Sequence, residues 1–284
     1  PDVVFTCADR HETLATAIAS TYLNTPLAHL QGGEVSGSID ESVRHAVTKL
    51  AHIHFPATSR AAERLLQMGE RPGNVFNVGC PSIDIVRKSR KSPDLSKYAG
   101  VGPKINIKDP YILVLQHPVT TEFVSATVQI RTTLEAIHEL GYQTIWLSPN
   151  VDAGGSQMEN YIRRFREQYN LNVCFYRSFE PEDFYGLLDR CMAFVGNSSS
   201  ALREGSFLGT PCVNLGTRQE GREYGANVVH AAHNTQDVLR CAREQINHGK
   251  YPPSILYGNG TAGKQIADIL ANQELVIQKR FYEL

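Results

Sequence analysis

Short apolar segments alternate with amphipathic segments along almost the whole chain, and this alternation constrains the fold more than any other sequence feature. Buried strands of a parallel sheet are short continuous apolar runs, and the amphipathic segments between them form the helices that cover the sheet. The pattern therefore predicts an α/β fold made of βα units on parallel sheets.

The apolar runs fall into two series. In the first series we predict strands over residues 3–7, 27–31, 52–56 and 74–78, with helices that begin near Glu12, Glu41 and Ser59. In the second series the predicted strands cover residues 111–115, 144–147, 173–176, 193–195, 212–215 and 228–231. Each series predicts one sheet.

A polar segment rich in Lys, Ser and Pro separates the two series and is typical of a domain boundary. A length of 284 residues also fits two α/β domains. We predict a first domain over residues 1–90, a linker over 91–110 and a second domain over 111–284. The second series looks complete. The first opens directly on a strand, so we expect its domain to lack its N-terminal part.

Charge and composition exclude several classes of protein. The formal net charge is −1, from 28 basic and 29 acidic residues, so no bulk field attracts nucleic acid or an anionic membrane. No apolar run approaches the roughly 20 residues that span a bilayer. The six cysteines are scattered without a C-x-x-C pair, which favours reduced thiols in a cytoplasmic protein.

The most informative motif is VGNSSSALREGSFLGTPCVNLGTR, which we interpret as a strand, a Ser-rich turn, a helix and a second strand that ends before Arg218. Such a turn presents N–H groups and the hydroxyls of Ser198 and Ser199 to a phosphate. The alternative is that the serines only cap the helix. Glu204, one turn further on, favours a nucleotide, because its carboxylate can accept from ribose hydroxyls.

Two further polar groups follow predicted strands of the second series. His117 lies in LQHPVTT, and Asn150 and Asp152 lie in LSPNVDAGG. The carboxyl ends of strands are where α/β proteins bind ligands, so His117 can donate to a phosphate or serve as an acid. A structural histidine and an Asx turn are the respective alternatives.

Acidic and basic residues also collect after the first two predicted strands, which suggests proton transfer at a shared site. These residues are Asp9, Arg10, Gln31, Glu34, Asp40, Glu41 and Arg44. The alternative is that Asp40 and Glu41 simply begin the helix that carries Arg44, since acidic residues are usual in a first turn.

Three other patterns are weaker. Residues 258–264 match the spacing of a phosphate-binding loop, but they follow Pro252 and Pro253 rather than a clear strand, so we expect them to open the last helix. His52 and His54 share one face of a strand without an evident third metal ligand. No G-x-S-x-G motif surrounds Ser198, which argues against a serine hydrolase.

Five segments together resemble the hydrolysing UDP-N-acetylglucosamine 2-epimerases, especially the bacterial sialic-acid enzymes and the epimerase half of the animal bifunctional epimerase/kinase. They are GGEVSGSIDESVRHAVTKLAH, LQHPVTT, PNVDAGG, GNSSSALREGSFLGTP and NLGTRQEGRE. The resemblance covers nearly the whole chain.

The resemblance implies a GT-B architecture, with two Rossmann-like domains facing a cleft and the nucleotide held mainly by the second. It implies elimination of UDP, followed by hydration of a glycal to N-acetylmannosamine, the first step of sialic-acid synthesis. It implies no metal or redox cofactor, and a homodimer or homotetramer. The residues that it assigns to the nucleotide sugar are Arg10, Arg44, His117, Asn150, Ser198, Ser199, Glu204 and Arg218.

For catalysis the resemblance points to Asp9 and Asp40 as proton-transfer residues, and His117 is a further catalytic candidate. The family's second carboxylate is replaced by Gln31, which cannot act as a base. Either Glu34 substitutes or the acid work is shared differently, so the residue that abstracts the C2 proton stays open. The family begins earlier than this chain, and we expect the chain alone to have little or no activity. Alternatives are a 2,4-diacetamido sugar nucleotide as substrate, an inactive nucleotide-sugar binding module and a GT-B glycosyltransferase.

Overall fold

Both apolar series form parallel sheets, as the alternation predicts. The computed structural model describes residues 1–89 and 92–283. The chain divides into unit 1, which comprises Pro1–Arg87 and Leu256–Leu284, and unit 2, which comprises Lys88–Ile255. The predicted boundary between residues 90 and 91 lies outside the described residues.

Unit 1 begins with three parallel strands in the order β1-β2-β3. The strands are β1 (Val4–Cys7), β2 (Leu27–Leu30) and β3 (Ile53–Phe55), and the helices are α1 (His11–Tyr22), α2 (Asp40–Leu50), α3 (Ser59–Gln67) and α4 (Pro81–Lys88). Three of the predicted strands are thereby confirmed.

The fourth predicted strand, residues 74–78, is wrong. Pro72–Asn74 form a 3-10 turn, and the segment makes one isolated bridge, from Val75 to His54. The backbone then turns at Gly79, whose φ of +83° suits glycine. An apolar run that pairs at a single position cannot extend the sheet.

Unit 2 contains the second sheet, in the order β10-β9-β8-β5-β6-β7-β4. Its strands are β4 (Gly100–Val101), β5 (Ile112–Leu115), β6 (Thr144–Leu147), β7 (Val173–Tyr176), β8 (Ala193–Gly196), β9 (Cys212–Leu215) and β10 (Val228–Ala231). Its helices are α5 (Ala126–Leu140), α6 (Gly155–Gln168), α7 (Pro181–Arg190), α8 (Ser199–Leu202), α9 (Glu204–Leu208) and α10 (Thr235–His248). All six strands predicted for the second series are present.

The predicted linker is corrected in part, because β4 lies within it and pairs antiparallel with β7. A Cβ at Gly100 would lie 2.6 Å from Cys174 Sγ, so only glycine allows this close approach. The segment after the domain boundary is therefore an edge strand of the sheet as well as a connection.

The core of unit 2 lies on both faces of its sheet. Ile112 and Val114 pack into one apolar cluster, and Leu113, which alternates with them, packs into the other. A strand buried on both faces must be apolar throughout, which is why the sequence shows runs rather than alternation within each strand. None of the described helices combines the length and the apolar character needed to cross a membrane. All six cysteines carry free thiols.

The C-terminal segment belongs to unit 1, which corrects the predicted second domain of residues 111–284. Helix α11 (Ala262–Asn272) places Ala262 and Ile266 in an apolar cluster with residues of β2 and β3. The Asp84 carboxylate accepts hydrogen bonds from the backbone N–H groups of Ala262 and Gly263. The loop over residues 258–264 therefore opens the last helix, as expected, and two of its N–H groups are bonded to Asp84.

A buried ionic cluster ties this segment to the rest of unit 1. Glu70 is 2% exposed and accepts from His54 at 2.9 Å, Lys49 at 2.7 Å and Lys279 at 2.6 Å. Desolvation opposes ionisation of the carboxyl most strongly, but these donors outweigh it and lower the pKa of Glu70 to about 2. His52 instead accepts from the Leu27 amide, so the two histidines face different partners.

The depressed pKa of Glu70 gives this cluster a defined pH dependence. A carboxyl with a lowered folded-state pKa contributes stability that is complete above its unfolded pKa of about 4.3 and is lost as the pH falls toward 2. We predict that Glu70→Gln lowers the free energy of unfolding by about 3 kcal/mol at pH 7, because it removes the charged acceptor of the buried His54 and leaves Lys279, whose side chain is 25% exposed, without a counter-charge. Urea denaturation at a series of pH values measures the difference.

The deficit of Glu70→Gln should shrink as the pH falls below about 4.3, where the wild-type carboxyl loses its advantage. Lys264→Ala is the control, because the Lys264–Asp268 pair is exposed and is worth about 0.5 kcal/mol or less. A deficit that stays constant down to acid pH would show that the charge on Glu70 is not its source.

Candidate functional site

The predicted polar residues of unit 2 gather at the carboxyl edge of its sheet. His117 follows β5, Asn150 follows β6, Ser198 follows β8 and Arg218 follows β9. These four strands are neighbours in the order β9-β8-β5-β6. Because the strands are parallel, the loops after them emerge at one edge, where α/β proteins bind their ligands.

A buried asparagine that sequence analysis did not single out joins these loops. Asn197 Oδ1 accepts from the His117 amide at 2.7 Å, and its Nδ2 donates to the His117 carbonyl at 2.8 Å. The Asn197 carbonyl accepts from Arg218 Nη1 at 3.1 Å and from Gln219 Nε2 at 2.8 Å. Asn197 therefore fixes the His117 loop and the Arg218 loop against the Ser-rich turn. A polar residue directly after a buried strand and its glycine was the available signal.

The orientation of the His117 ring follows from its contact with the next loop. The backbone N–H of Asn150 donates to His117 Nδ1 at 3.1 Å. A neutral ring that accepts at Nδ1 carries its proton on Nε2. His117 is thus set up as a donor through Nε2, which suits an anionic ligand or a leaving group.

Asn150 and Asp152 contact each other through their side chains. The Asn150 side-chain amide donates to the Asp152 carboxylate, which is not the side-chain-to-backbone contact of the Asx turn expected as the alternative. Asn150 Oδ1 is nevertheless buried and has no hydrogen-bond partner among the described residues. A buried acceptor without a donor is costly, which makes this oxygen a candidate for binding a ligand N–H or O–H.

The serines of the turn cap a helix, so the simpler of the two predicted readings holds locally. Ser198 Oγ accepts from the Ser200 amide at 3.3 Å, and Ser199 Oγ accepts from Arg203 Nη2 at 2.9 Å. The single predicted helix is corrected to two short helices, α8 and α9, with Arg203 (φ −91°, ψ −74°) between them. This break places Glu204 at the start of α9.

Glu204 carries the strongest indication of a ligand site in unit 2. Its side chain is 2% exposed, and its Oε2 has no hydrogen-bond partner within the described part of the chain. Removing a carboxylate oxygen from water without a donor costs several kcal/mol in principle. The position therefore calls for hydroxyl donors from outside the chain, as the sequence motif predicted for a ribose.

The predicted residues of unit 1 assemble around one buried arginine. Arg44 on α2 is 1% exposed and forms an ion pair with Asp9. Its Nη1 donates to the Glu34 carbonyl at 2.7 Å, and its Nη2 donates to Ser36 Oγ at 3.0 Å. Arg44 thereby brings the loops after β1 and β2 onto α2.

The other unit 1 residues lie around this arginine in different ways. Asp40 and Glu41 do occupy the first turn of α2, with Asp40 accepting from Ser38 Oγ at 2.8 Å and Glu41 accepting from the Ser36 amide at 3.2 Å. Arg10 is about half exposed and pairs with Glu12 at 3.4 Å. The helix-start reading of the two acids is thus confirmed, and it leaves Asp40 at the same end of α2 as Arg44.

Gln31 occupies a constrained position at the end of β2. Its φ is +65°, it is buried, and its Nε2 donates to Cys80 Sγ at 3.1 Å. Gly33 follows with a φ of +76°, and a Cβ there would lie 2.1 Å from the Ala61 carbonyl oxygen. The chain therefore turns sharply after β2. This turn brings Glu34, which is 5% exposed, into contact with Arg44.

Residues 1–271 match the model of the UDP-N-acetylglucosamine 2-epimerase family. The chain belongs to this family. A UDP-N,N'-diacetylbacillosamine 2-epimerase (hydrolyzing) of Legionella pneumophila is 34% identical over 272 residues, which are 95% of this chain and 71% of that protein. A UDP-N-acetylglucosamine 2-epimerase of Neisseria meningitidis is 30% identical over 292 residues, which cover 100% of this chain and 75% of that one.

Solved structures of the family have the same fold as this chain. The UDP-GlcNAc 2-epimerase of Methanocaldococcus jannaschii, in complex with UDP-GlcNAc and UDP, matches with a TM-score of 0.79 at 20% identity, over 96% of this chain and 76% of that one. The Neisseria meningitidis enzyme bound to UDP-GlcNAc matches with a TM-score of 0.77 at 18% identity, over 96% and 77%. The GT-B type of parallel α/β fold that the resemblance implies is confirmed.

The hydrogen bonds of Asn197 predict how stability changes when its side-chain nitrogen is replaced by oxygen. Asn197→Asp replaces the donor to the His117 carbonyl with an acceptor, and we expect it to lower the free energy of unfolding by about 2 kcal/mol. Chemical denaturation measures this loss. Asn172→Asp is the control, because Asn172 is exposed at the amino end of β7, and its effect should stay within about 0.5 kcal/mol. Equal effects of the two variants would contradict the role given to Asn197.

Proposed function

We propose that this chain is a hydrolysing 2-epimerase that converts UDP-N-acetylglucosamine into UDP and N-acetylmannosamine, the reaction that begins sialic-acid synthesis. Family membership supports the sugar-nucleotide class. The observation that carries the proposal is the buried Glu204 carboxylate, which lacks a donor within the described chain at the edge of the sheet where a nucleotide would bind.

Unit 2 supplies the groups that a uridine diphosphate requires. Glu204 Oε2 would accept from the ribose hydroxyls, and the Arg218 guanidinium would neutralise the diphosphate. His117 would donate from Nε2 to the departing phosphate oxygen, since its Nδ1 already accepts from the Asn150 amide. The hydroxyls of Ser198 and Ser199 would complete the phosphate contacts, and Asn150 Oδ1 has the capacity to accept from the uracil or the sugar.

Unit 1 supplies the groups for chemistry at the sugar. Asp9 or Glu34 would remove the C2 proton as the bond between C1 and the UDP oxygen breaks, which leaves a glycal and releases UDP. Water then adds to the glycal, with its hydroxyl at C1 and a proton from a second acid, for which we propose Asp40, at the opposite face of C2. Arg44 orients Asp9 and contacts the backbone of Glu34, so one cation serves both candidate bases. Gln31 takes no part in proton transfer.

A second substrate is favoured by the names of two relatives. The Legionella pneumophila protein described above and a Campylobacter jejuni protein that is 30% identical over 241 residues are both called 2-epimerases of N,N'-diacetylbacillosamine nucleotides. A UDP-2,4-diacetamido sugar is therefore the alternative substrate. The chemistry at C1 and C2 is the same for both sugars, so the two proposals differ only in the pocket that receives the rest of the sugar ring, including C4.

The direct test incubates the chain with each sugar nucleotide in D₂O and follows UDP together with the free sugar. Elimination followed by hydration predicts one deuterium at C2 of the released N-acetylmannosamine. Faster turnover of the 2,4-diacetamido substrate would select the alternative. Binding of UDP without release of sugar from either substrate would favour an inactive binding module, and transfer to an acceptor would favour a glycosyltransferase.

Two variants separate the nucleotide groups from the proton-transfer groups. We predict that Asp9→Asn lowers kcat by about 10²-fold or more, because an amide cannot accept the proton. Glu204→Gln should raise KM and the Kd of UDP by about tenfold, the effect of losing one charge-assisted hydrogen bond.

Calorimetric titration with UDP alone provides the control for these kinetics. Asp9→Asn should bind UDP as the wild type does, and the exposed Glu167→Gln on α6 should change neither parameter. If Glu204→Gln bound UDP normally, the assignment of the ribose site would be wrong.

A further inference from the structure

One buried histidine of unit 1 has no role in the proposed reaction. His29 lies on β2, is fully buried, and faces helix α2, as Leu27 two residues earlier does. It makes two hydrogen bonds, one to the Ala8 carbonyl at 2.9 Å and one with Thr48 Oγ1 at 3.3 Å. Both contacts lead to residues that neighbour the Asp9–Arg44 ion pair.

The chemistry of the two partners defines the protonation of the ring. A carbonyl oxygen only accepts, so the Nε2 that faces Ala8 carries the proton. Burial lowers the pKa of His29 to about 4, so the ring is neutral near pH 7 and its Nδ1 accepts from the Thr48 hydroxyl. His29 therefore acts as a fixed connector, with a donor at one end and an acceptor at the other.

The first contact holds an unfavourable backbone conformation. Ala8 has a φ of +62°, a region that residues with a Cβ seldom adopt. Its amide donates to the Leu30 carbonyl at 2.9 Å, and its carbonyl accepts from His29. Such a conformation persists only where the surroundings over-determine it. Asp9 is the next residue, so the direction of its side chain depends on this turn.

The second contact reaches the helix that carries the partner of Asp9. Thr48 is one turn beyond Arg44 on α2, and residues four apart share one face of a helix. Gly32 leaves the necessary space, because a Cβ there would lie 3.0 Å from His29 Nδ1 and 3.2 Å from Thr48 Oγ1. The imidazole thus links the same two elements, the loop after β1 and helix α2, that the ion pair between Asp9 and Arg44 joins.

We infer that His29 is a positioning residue that holds Asp9 in register with Arg44 through its bonds to Ala8 and Thr48. The kinetic part of this inference rests on the proposed function, in which Asp9 transfers a proton. The geometric part does not, because the turn at Ala8 and the ion pair can be observed directly.

His54 provides a matched control in the same sheet. It is the register partner of His29 on the adjacent strand β3 and is equally buried. Its Nε2 bonds to Glu70 rather than to either element of the Asp9–Arg44 pair. Loss of His54 therefore removes a buried histidine from the same level of the sheet while both bonds of His29 remain, and Lys49 and Lys279 still donate to Glu70.

The experiment compares His29→Leu, His29→Gln and His54→Leu by crystallography and by steady-state kinetics, well below the unfolding temperature of each. In His29→Leu we expect Ala8 to leave positive φ and the Asp9–Arg44 ion pair to break, with kcat at least about 30-fold lower and KM within about threefold, since only the orientation of the acid changes. His29→Gln places an amide N–H near the position of Nε2, so it should restore the ion pair and at least about a third of kcat. His54→Leu should lower stability and leave the ion pair and kcat unchanged.

Several outcomes would overturn the inference. One is a His29→Leu structure in which Ala8 and the ion pair are unaltered, and another is a loss of kcat as large in His54→Leu as in His29→Leu. If His29→Leu does not fold, Thr48→Val against Thr48→Ser gives the same comparison with a smaller change, and only the valine variant should disturb the pair. If the wild-type chain releases UDP from neither sugar nucleotide, the proposed function fails, while the crystal structures still decide the positioning role.

Discussion

Parallel neighbours in a sheet can be joined only by a connection that crosses over the sheet, usually a helix, and this constraint places the polar residues. Every crossover returns the chain to the edge where the strands begin, so all parallel strands end at the opposite edge. The loops that follow β5, β6, β8 and β9 therefore emerge side by side. The topology alone therefore brings four residues that are far apart in sequence to one edge of the sheet. They are His117, Asn150, Ser198 and Arg218. Asn197 then needs only its amide and its carbonyl to lock two of these loops onto a third.

In unit 1 the equivalent role belongs to a buried charge. A guanidinium that is 1% exposed must be paired and hydrogen-bonded, or its desolvation would cost more than the fold can supply. The donors of Arg44 reach Asp9, the Glu34 carbonyl and Ser36, and this demand shapes the loops after β1 and β2. The positive φ angles of Ala8, Gln31 and Gly33 lie in the turns that make those acceptors available. The catalytic candidates are therefore held by the same interactions that satisfy the buried cation.

The sequence predicted best what depends on neighbours along the chain. Apolar runs gave all six principal strands of unit 2 and three of unit 1, because a strand buried on both faces has a recognisable local composition. Sequence patterns did not predict contacts between residues that are distant along the chain. The run over 74–78 fails as a strand because it meets β3 at only one bridge, Gly100 reaches β7 because it has no side chain, and Asn197 acts through partners about 20 and 80 residues away. Among the candidate site residues, the loops were predictable, but the pairing of Arg44 with Asp9 and the orphaned oxygen of Glu204 required the fold.

The C-terminal segment shows how far such distant contacts reach into the site of unit 1. Lys279 donates to the carbonyls of Thr48 and Ala51 at the C-terminal end of α2, where its charge opposes the negative end of the helix dipole. Arg44, near the middle of α2, bonds to the loops after β1 and β2, and His29 bonds to the Thr48 hydroxyl in the last turn. Helix α2 is thus restrained by three side chains, and one of them, Lys279, lies 231 positions from Thr48 in sequence. Because Asp40 and Arg44 both project from this helix, the segment after α11 stabilises the geometry of the candidate site without contributing a group to its chemistry.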